Sequence, residues 1–192
     1  DPLDTVAQKL LRVNLSDLAA KGVEPFGYLL ACHWSERCGW PERKAFVQGL
    51  AEDQKRFGVS LLGGDTVSTP GPASFSITLM GWTPKGEIVG RSGASVGDLV
   101  FVTGMIGDGW LGLRASRDLV SLEPERQAAV IEQYRRPMPR TTFAPAISQY
   151  ATASLDVSDG LVADLGHLAR QSGVGVQLHL ESLPLSHAAQ AS

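Results

Sequence analysis

The stretch that most constrains this chain is a β-forming run at residues 59–62, followed directly by Gly63, Gly64 and Asp65. The run predicts a buried strand, and the glycines and carboxylate predict that the strand ends there. Glycines let the backbone approach a ligand closely, and their N–H groups can bind phosphate oxygens. Because a carboxylate repels a phosphate, Asp65 at such a site indicates a divalent cation such as Mg²⁺ between them. A plain turn also explains these residues.

The composition is that of an ordinary globular chain. Its 192 residues, 43% of them hydrophobic, suffice for one large domain or two small ones. With 17 Lys and Arg against 20 Asp and Glu, and no basic run, a nucleic-acid partner is not supported. No apolar run approaches the roughly 20 residues of a membrane span, so no membrane partner is expected.

The two cysteines bear on the cellular compartment. Cys32 and Cys38 are spaced for neither a CxxC redox pair nor a zinc finger, which favours reduced cysteines and a cytoplasmic location. The N-terminal residues do not resemble a signal peptide. Because the sequence starts without Met, we expect a fragment or a processed piece of a longer protein.

The first predicted helix, residues 4–21, carries a carboxylate on its apolar line. That line runs through Val6, Leu10 and Val13, and its next position is Asp17. A buried carboxylate is costly unless hydrogen bonds or a metal compensate it. Asp17 is therefore either satisfied by neighbouring backbone groups or a metal ligand.

The hydrophobic periodicity predicts an α/β fold with mixed sheets. Further helices are predicted at residues 40–57, 110–116, 122–135, 143–150 and 161–170. Strands are predicted at 26–32, 74–82, 88–89, 99–103, 153–157 and 174–180, with a hairpin turn at 83–87. A flexible linker at residues 90–98 divides the chain into predicted domains 1–94 and 95–192. Arg91 in this linker is either an ordinary solvated arginine or a guanidinium that binds a phosphate.

A third acidic site lies where a predicted strand meets a predicted helix, in the sequence Asp156-Val157-Ser158-Asp159-Gly160. Free N–H groups and the helix dipole attract anions at such a junction. Ser158 or Asp159 can also act as an N-cap without any ligand. A cap does not explain the charge of Asp156, which we expect near the end of a buried strand.

Asp17, Asp65 and the pair Asp156 and Asp159 are distant from one another in sequence but share one explanation. Convergence on one or more Mg²⁺ ions that carry a polyphosphate justifies all of them. The chain has no Walker sequence and no HRD or DFG motif of protein kinases. Any kinase of this sequence therefore belongs to another lineage.

Four segments together resemble thiamine-monophosphate kinase, a family of the ATP-binding superfamily that includes aminoimidazole ribonucleotide synthetase and selenophosphate synthetase. They are VNLSDLAA at 13–20, LGGDT at 62–66, GRSGA at 90–94 and LDVSDGL at 155–161. The resemblance implies a two-domain aminoimidazole ribonucleotide synthetase-like fold and a homodimer, whose N-terminal domains contribute strands to a β-barrel between subunits. It also implies transfer of the ATP γ-phosphate to thiamine monophosphate, giving thiamine diphosphate and ADP.

The resemblance implies roles for individual residues as well. Direct in-line attack by an ionised substrate phosphate needs no general base, so no catalytic residue is assigned. The implied magnesium ligands are Asp17, Asp65, Asp156 and Asp159. The implied ATP contacts are Gly64, Asp65, Arg91 and Ser158.

The chain departs from this family at both ends. The family's Gly-Asp-Asp motif and further metal-binding residues lie upstream of Asp1, and its substrate-binding residues lie beyond Ser192. We therefore expect only part of an active site here. Two alternatives stay open: another ATP-dependent synthetase of the same superfamily, and an inactive nucleotide-binding or dimerisation module.

Overall fold

The computed structural model describes residues 1–83 and 88–190. In the first half of the chain, two helices pack on one face of a three-stranded mixed sheet of order β2-β1-β3. The elements are α1 Leu3–Ala20, β1 Glu24–Ser35, α2 Trp40–Phe57, β2 Ser60–Thr69 and β3 Ser74–Trp82. β1 is parallel to β2 and antiparallel to β3, which confirms the prediction of a mixed sheet.

The core of this half lies between the sheet and the two helices. Alternate residues of β1 are buried, as the period of a strand requires: Tyr28, Leu30, Cys32 and Trp34. Helix α1 meets them with a stripe at helical spacing: Ala7, Leu11 and Leu15. The rings of Trp34, Phe46 and Phe75 pack at centroid distances of 5.3, 5.0 and 4.2 Å. These contacts fix both helices to the sheet.

Strand β2 continues through the two glycines and is exposed, so the prediction of a buried strand that ends at Gly63 and Gly64 is wrong. Its pairing with β1 places Asp65 opposite Ala31. A bulge accommodates Leu62, which has no partner in the register. The ladder to β1 therefore outweighs the turn preference of glycine.

The second half of the described chain is mainly helical. Its helices are α3 Asp108–Ala115, α4 Pro124–Arg135, α5 Ala144–Tyr150, α6 Leu161–Ser172 and α7 His187–Gln190, with 3₁₀ turns at Thr141–Phe143 and Leu180–Ser182. A small core joins α3, α4 and α7 through Leu111, Ala115, Val130 and Ala188. The helices predicted in this half are all confirmed, with shifts of a few residues at their ends.

The predicted strands at 88–89, 99–103, 153–157 and 174–180 are wrong. In the described part of the chain these segments have irregular backbone, apart from a 3₁₀ turn at the end of the last one. A strand needs a neighbour for its N–H and C=O groups, and no described strand lies beside these β-forming residues. Of the predicted hairpin turn, residues 84–87 lie outside the described residues.

A buried ion pair fastens α1 to α2. The guanidinium of Arg12 donates to both carboxylate oxygens of Asp53, at 2.6 and 2.8 Å. Both side chains are almost fully buried, with 4% and 1% exposed. Arg12 also donates to the carbonyl of Arg136 just after α4, at 3.0 Å. One side chain thus links both helices to the second half of the chain.

The linker prediction concerns residues 90–98, which form neither helix nor strand. The division into domains 1–94 and 95–192 stays a prediction. Among the helices of the described residues, none combines the length and the apolar character that crossing a membrane requires.

Candidate functional site

Asp17 lies on the exposed side of α1, so its predicted place on a buried stripe is wrong. The buried stripe runs through Ala7, Leu11 and Leu15, whereas Val13 is 41% exposed. The line read from the sequence lies beside the buried stripe: Val6 and Leu10 pack partly against the core, whereas Val13 and Asp17 are exposed. Asp17 has another neighbour there, the loop that precedes α6.

That loop brings Asp156 close to Asp17, although the two residues come from opposite ends of the chain. Burial raises the pKa of Asp156, and the neighbouring charge of Asp17 raises it further. A hydrogen bond from its own backbone N–H opposes these effects, and the charge of Asp164 adds to them. Two carboxylates forced together in this way favour a proton or a cation between them.

Two cationic side chains adjoin this pair. The ammonium of Lys21 donates to the carbonyl oxygen of Ser154 at 2.8 Å. Burial lowers the pKa of Lys21 and the charge of Arg91 lowers it further, whereas Asp156 and Asp17 raise it. The structure therefore places Arg91 and Lys21 near this pair. The phosphate contact of Arg91 stays a prediction, and Lys21 was not predicted. The available signal was its position four residues after Asp17, at the C-cap of α1.

Ser158 and Asp159 lie in the turn before α6, and neither caps the helix. Gly160 occupies the N-cap position, so the capping interpretation of Ser158 and Asp159 is wrong. The backbone N–H groups of residues 158, 159 and 160 all donate to one oxygen of Asp164, at 2.9, 3.0 and 3.1 Å. Asp164 is 5% exposed. It was missed because an acid in the first turn of a helix is ordinarily explained by the helix dipole.

Gly64 and Asp65 lie on strand β2, and Asp65 is not among the groups whose charge influences Asp156 or Lys21. At Gly64, φ is +148°, and a Cβ atom there would lie 1.8 Å from the carbonyl oxygen of Leu30. The close approach of β1 therefore requires a glycine at this position without any ligand. Asp65 is exposed and accepts a hydrogen bond from the N–H of Thr66 at 2.8 Å. No hydrogen bond or ion pair of the described residues joins Asp65 to Asp17 or Asp156.

Asp17 and Asp156 could bind a hard cation, because they provide carboxylate oxygens and because two carboxylates are enough for such a site. Mg²⁺ in phosphate-binding sites commonly takes one or two carboxylates and fills its other positions with water and phosphate oxygens. Within residues 1–83 and 88–190, no group of three or more His, Cys, Asp or Glu side chains could hold a metal ion. The four-carboxylate ligand set, and the ATP contacts, stay predictions.

Comparison with known families accounts for nearly the whole chain. The family model described as "AIR synthase related protein, N-terminal domain" matches residues 1–83, and that of the C-terminal domain matches residues 95–192. The chain belongs to the AIR synthase related family. This membership confirms the α/β fold with a mixed sheet, whereas the β-barrel between subunits stays a prediction.

The chain is similar to one curated protein and to two solved structures. It is 51% identical to the thiamine-monophosphate kinase of Caulobacter vibrioides over all of this chain and 53% of that protein. A crystal structure of thiamine monophosphate kinase from Aquifex aeolicus is 33% identical, with a TM-score of 0.93 over 100% of this chain and 64% of that one. A structure described as AaThiL complexed with AMPPCP and TMP is 34% identical, with a TM-score of 0.92 over 100% and 61%.

The predicted resemblance to thiamine-monophosphate kinase is therefore confirmed. The chain of this AIR synthase related protein spans about half the length of the curated relatives it matches.

Proposed function

We propose that the full-length protein transfers the γ-phosphate of ATP to thiamine monophosphate and releases thiamine diphosphate and ADP. The observation that carries this proposal is the approach of Asp17 to Asp156, with Lys21 and Arg91 beside them. Such a mixed group of acids and bases suits a metal-bound polyphosphate. The similar proteins named thiamine-monophosphate kinase, and the similar structure that holds AMPPCP and TMP, support this choice of substrates.

In this proposal the chain positions the reactants and supplies no general base. A bound Mg²⁺ ion neutralises the negative charge of the phosphates. Asp17 and Asp156 hold the ion from α1 and from the loop before α6. Arg91 binds a nucleotide phosphate, and Lys21 ties the backbone at Ser154 to α1. The attacking phosphate oxygen is already ionised near neutral pH, so no residue needs to remove a proton from it.

We further assign Gly64 and Asp65 to ATP, with Asp65 also on magnesium. The exposed position of Asp65 on β2 leaves its carboxylate accessible to a ligand. Ser158 contacts ATP, and Asp159 binds magnesium. Both side chains are exposed in the turn before α6, which supports their access to the same nucleotide.

The proposal includes a homodimer that works in the cytoplasm. The outer face of the sheet exposes apolar side chains that a second subunit would cover, including Phe26, Leu29 and Trp82. We propose that strands of the two subunits form a barrel there. Cys32 and Cys38 are both free, which suits a reducing compartment.

Isothermal titration of ATP into the full-length protein tests the nucleotide site. We expect binding that requires Mg²⁺ and collapses in Asp65→Asn, because the substitution removes a carboxylate ligand. Asp118→Asn is the matched control, since Asp118 is exposed in a loop and Asn tolerates its positive φ of 55°. Magnesium-independent binding that survives in Asp65→Asn would contradict the assignment.

A coupled assay of ADP release separates the kinase from its two alternatives. The kinase releases ADP only when thiamine monophosphate is present and forms thiamine diphosphate in equal amount. A synthetase of the same superfamily would release ADP with a different acceptor. An inactive module would bind Mg²⁺ and ATP without turnover.

A further inference from the structure

The turn before α6 should, by its geometry alone, bind an anion. Residues 158–160 present consecutive backbone N–H groups at the start of a helix of 12 residues, where the helix dipole is positive. In a site for a polyphosphate, these donors would be the obvious phosphate cradle. In the structure, a side chain of the same chain already accepts these N–H groups.

The acceptor of these N–H groups is the carboxylate of Asp164. Its Oδ2 atom accepts the N–H groups of Ser158, Asp159 and Gly160 at 2.9, 3.0 and 3.1 Å. Three charge-assisted bonds on one oxygen compensate a carboxylate that is 5% exposed. The backbone N–H groups of the turn are therefore committed to Asp164.

This arrangement determines which groups of the turn face a ligand. The N–H groups point at Asp164, while the side chains of Ser158 and Asp159 are exposed. Asp156 lies next to the same turn and close enough to Asp164 to be influenced by its charge. With its backbone N–H groups bonded to Asp164, the turn can contact a metal-bound nucleotide through its carboxylates and its hydroxyl. Its backbone N–H groups are not available to the phosphates.

We propose that Asp164 is a positioning residue, which occupies the backbone anion site before α6 and thereby orients Asp156, Ser158 and Asp159 toward the metal-bound phosphates of ATP. The proposal rests on the proposed function for the identity of the ligand. The hold of Asp164 on the turn does not depend on that identity. The two parts are therefore tested by different measurements.

Amide hydrogen exchange in the full-length protein tests the hold on the turn. We expect the amides of residues 158–160 to be protected in the unmodified protein. In Asp164→Ala they should exchange about tenfold faster or more, because their acceptor is gone. Asp164→Asn keeps a carbonyl oxygen that can accept the same bonds, so it should retain part of the protection.

Asp53→Ala is the matched control for loss of stability. Asp53 is also a buried carboxylate, at 1% exposure, but its partner is Arg12 rather than the turn. This variant should melt at a lower temperature and keep the protection of residues 158–160. Unchanged protection of these amides in Asp164→Ala would overturn the proposal. So would rapid exchange of the three amides in the folded unmodified protein, which decides the matter if Asp164→Ala does not fold.

Kinetics test the effect on the ligand. We expect Asp164→Ala to raise the KM for ATP and the Mg²⁺ concentration for half-maximal activity by about 10- to 100-fold, the usual effect of removing a partner of metal ligands. Asp164→Asn should recover much of this loss, and Asp53→Ala should leave both constants unchanged despite its lower stability. Equal shifts in Asp53→Ala and Asp164→Ala would reduce Asp164 to a structural residue and overturn the proposal. If the unmodified protein does not phosphorylate thiamine monophosphate, the proposed function fails and the exchange result alone decides the role of Asp164.

Discussion

Gly64 illustrates how one residue can satisfy two explanations. The sequence suggested a glycine that admits a phosphate, whereas the structure gives a backbone reason, because a Cβ atom at this position would lie 1.8 Å from the carbonyl oxygen of Leu30. Both explanations require glycine, but only the second one predicts an effect on the protein without ligand.

Gly64→Ala should therefore destabilise the ligand-free protein. We expect a loss of roughly 2–4 kcal/mol in the free energy of unfolding, because the substitution combines a disfavoured φ with a clash against β1. Gly63→Ala is the neighbouring control, since its Cβ would lie 3.7 Å from a side-chain carbon of Leu29. Chemical denaturation of both variants measures the difference, and equal stabilities would refute the steric argument.

The raised pKa of Asp156 predicts a pH dependence of stability without metal. The folded protein holds the Asp156 proton more tightly than the unfolded chain, whose carboxyl titrates near 3.8. The contribution of Asp156 to the free energy of unfolding is therefore complete below pH 3.8. It is lost as the pH rises through the pKa of Asp156 in the folded protein. Asp156→Asn should therefore melt at a higher temperature than the unmodified protein at neutral pH without Mg²⁺, with no such gain below pH 3.8.

Thermal melts with and without Mg²⁺ check this expectation. Added Mg²⁺ should stabilise the unmodified protein more than Asp156→Asn, because the ion takes the place of the proton. Glu125→Gln controls for the change in net charge, since Glu125 is exposed in the first turn of α4. A lower melting temperature of Asp156→Asn at neutral pH without metal would contradict the argument.

At the scale of single residues, the sequence singled out Asp17 and Asp156, which the structure brings together, but it explained Asp17 wrongly. Asp17 was expected to be a buried acid, yet it is an exposed acid that meets Asp156. Local periodicity cannot reveal that meeting, because it depends on how distant segments pack. Lys21 was missed for the same reason, because its partner Ser154 lies on a distant segment. Asp164 was missed because an acid in the first turn of a helix is ordinarily explained by the helix dipole.

Among the elements, α1 has the widest set of partners, and Arg12 is central to them. Replacing Arg12 with Met would leave Asp53 charged and unpaired at 1% exposure. We expect this single substitution to cost about 3–5 kcal/mol of stability. The double variant Arg12→Met, Asp53→Leu should lose less, because no isolated charge stays buried. Urea denaturation measures both, and a double variant less stable than the single one would refute this account.

The helices were predictable and most of the later strands were not. Amphipathic spacing and glycine ends are local signals, as at α2, where Gly58 has the left-handed C-cap conformation. A strand depends on a neighbour that can be far along the chain. The segments at 99–103 and 174–180 have the composition of strands, but the described residues provide no strand to pair with them. β2 shows the converse, since pairing with β1 extends it through glycines that locally favour a turn.

The outer face of the sheet governs how whole molecules associate. On this face, Leu29 of β1 is 43% exposed and Met80 of β3 is 37% exposed. The rings of Phe26 and Trp82 pack there with their centroids 5.6 Å apart. We expect a dimer in sedimentation velocity that buries this face. Met80→Lys should raise the dimer dissociation constant by about tenfold or more, because a charge would be buried in an apolar contact.

Trp110→Lys serves as the control for this surface. Trp110 is 62% exposed on α3, outside the sheet, so its substitution should leave the dimer intact. A monomeric unmodified protein, or equal effects of the two substitutions, would refute an interface on the sheet.

The meeting of Asp17 with Asp156 has a consequence for the timing of synthesis. Helix α1 leaves the ribosome before the segment that precedes α6, so Asp17 is synthesised well before the Asp156 carboxylate that it meets. Under the proposed function, a nascent chain gains the paired carboxylates for a metal-bound nucleotide only after both segments have emerged and packed together.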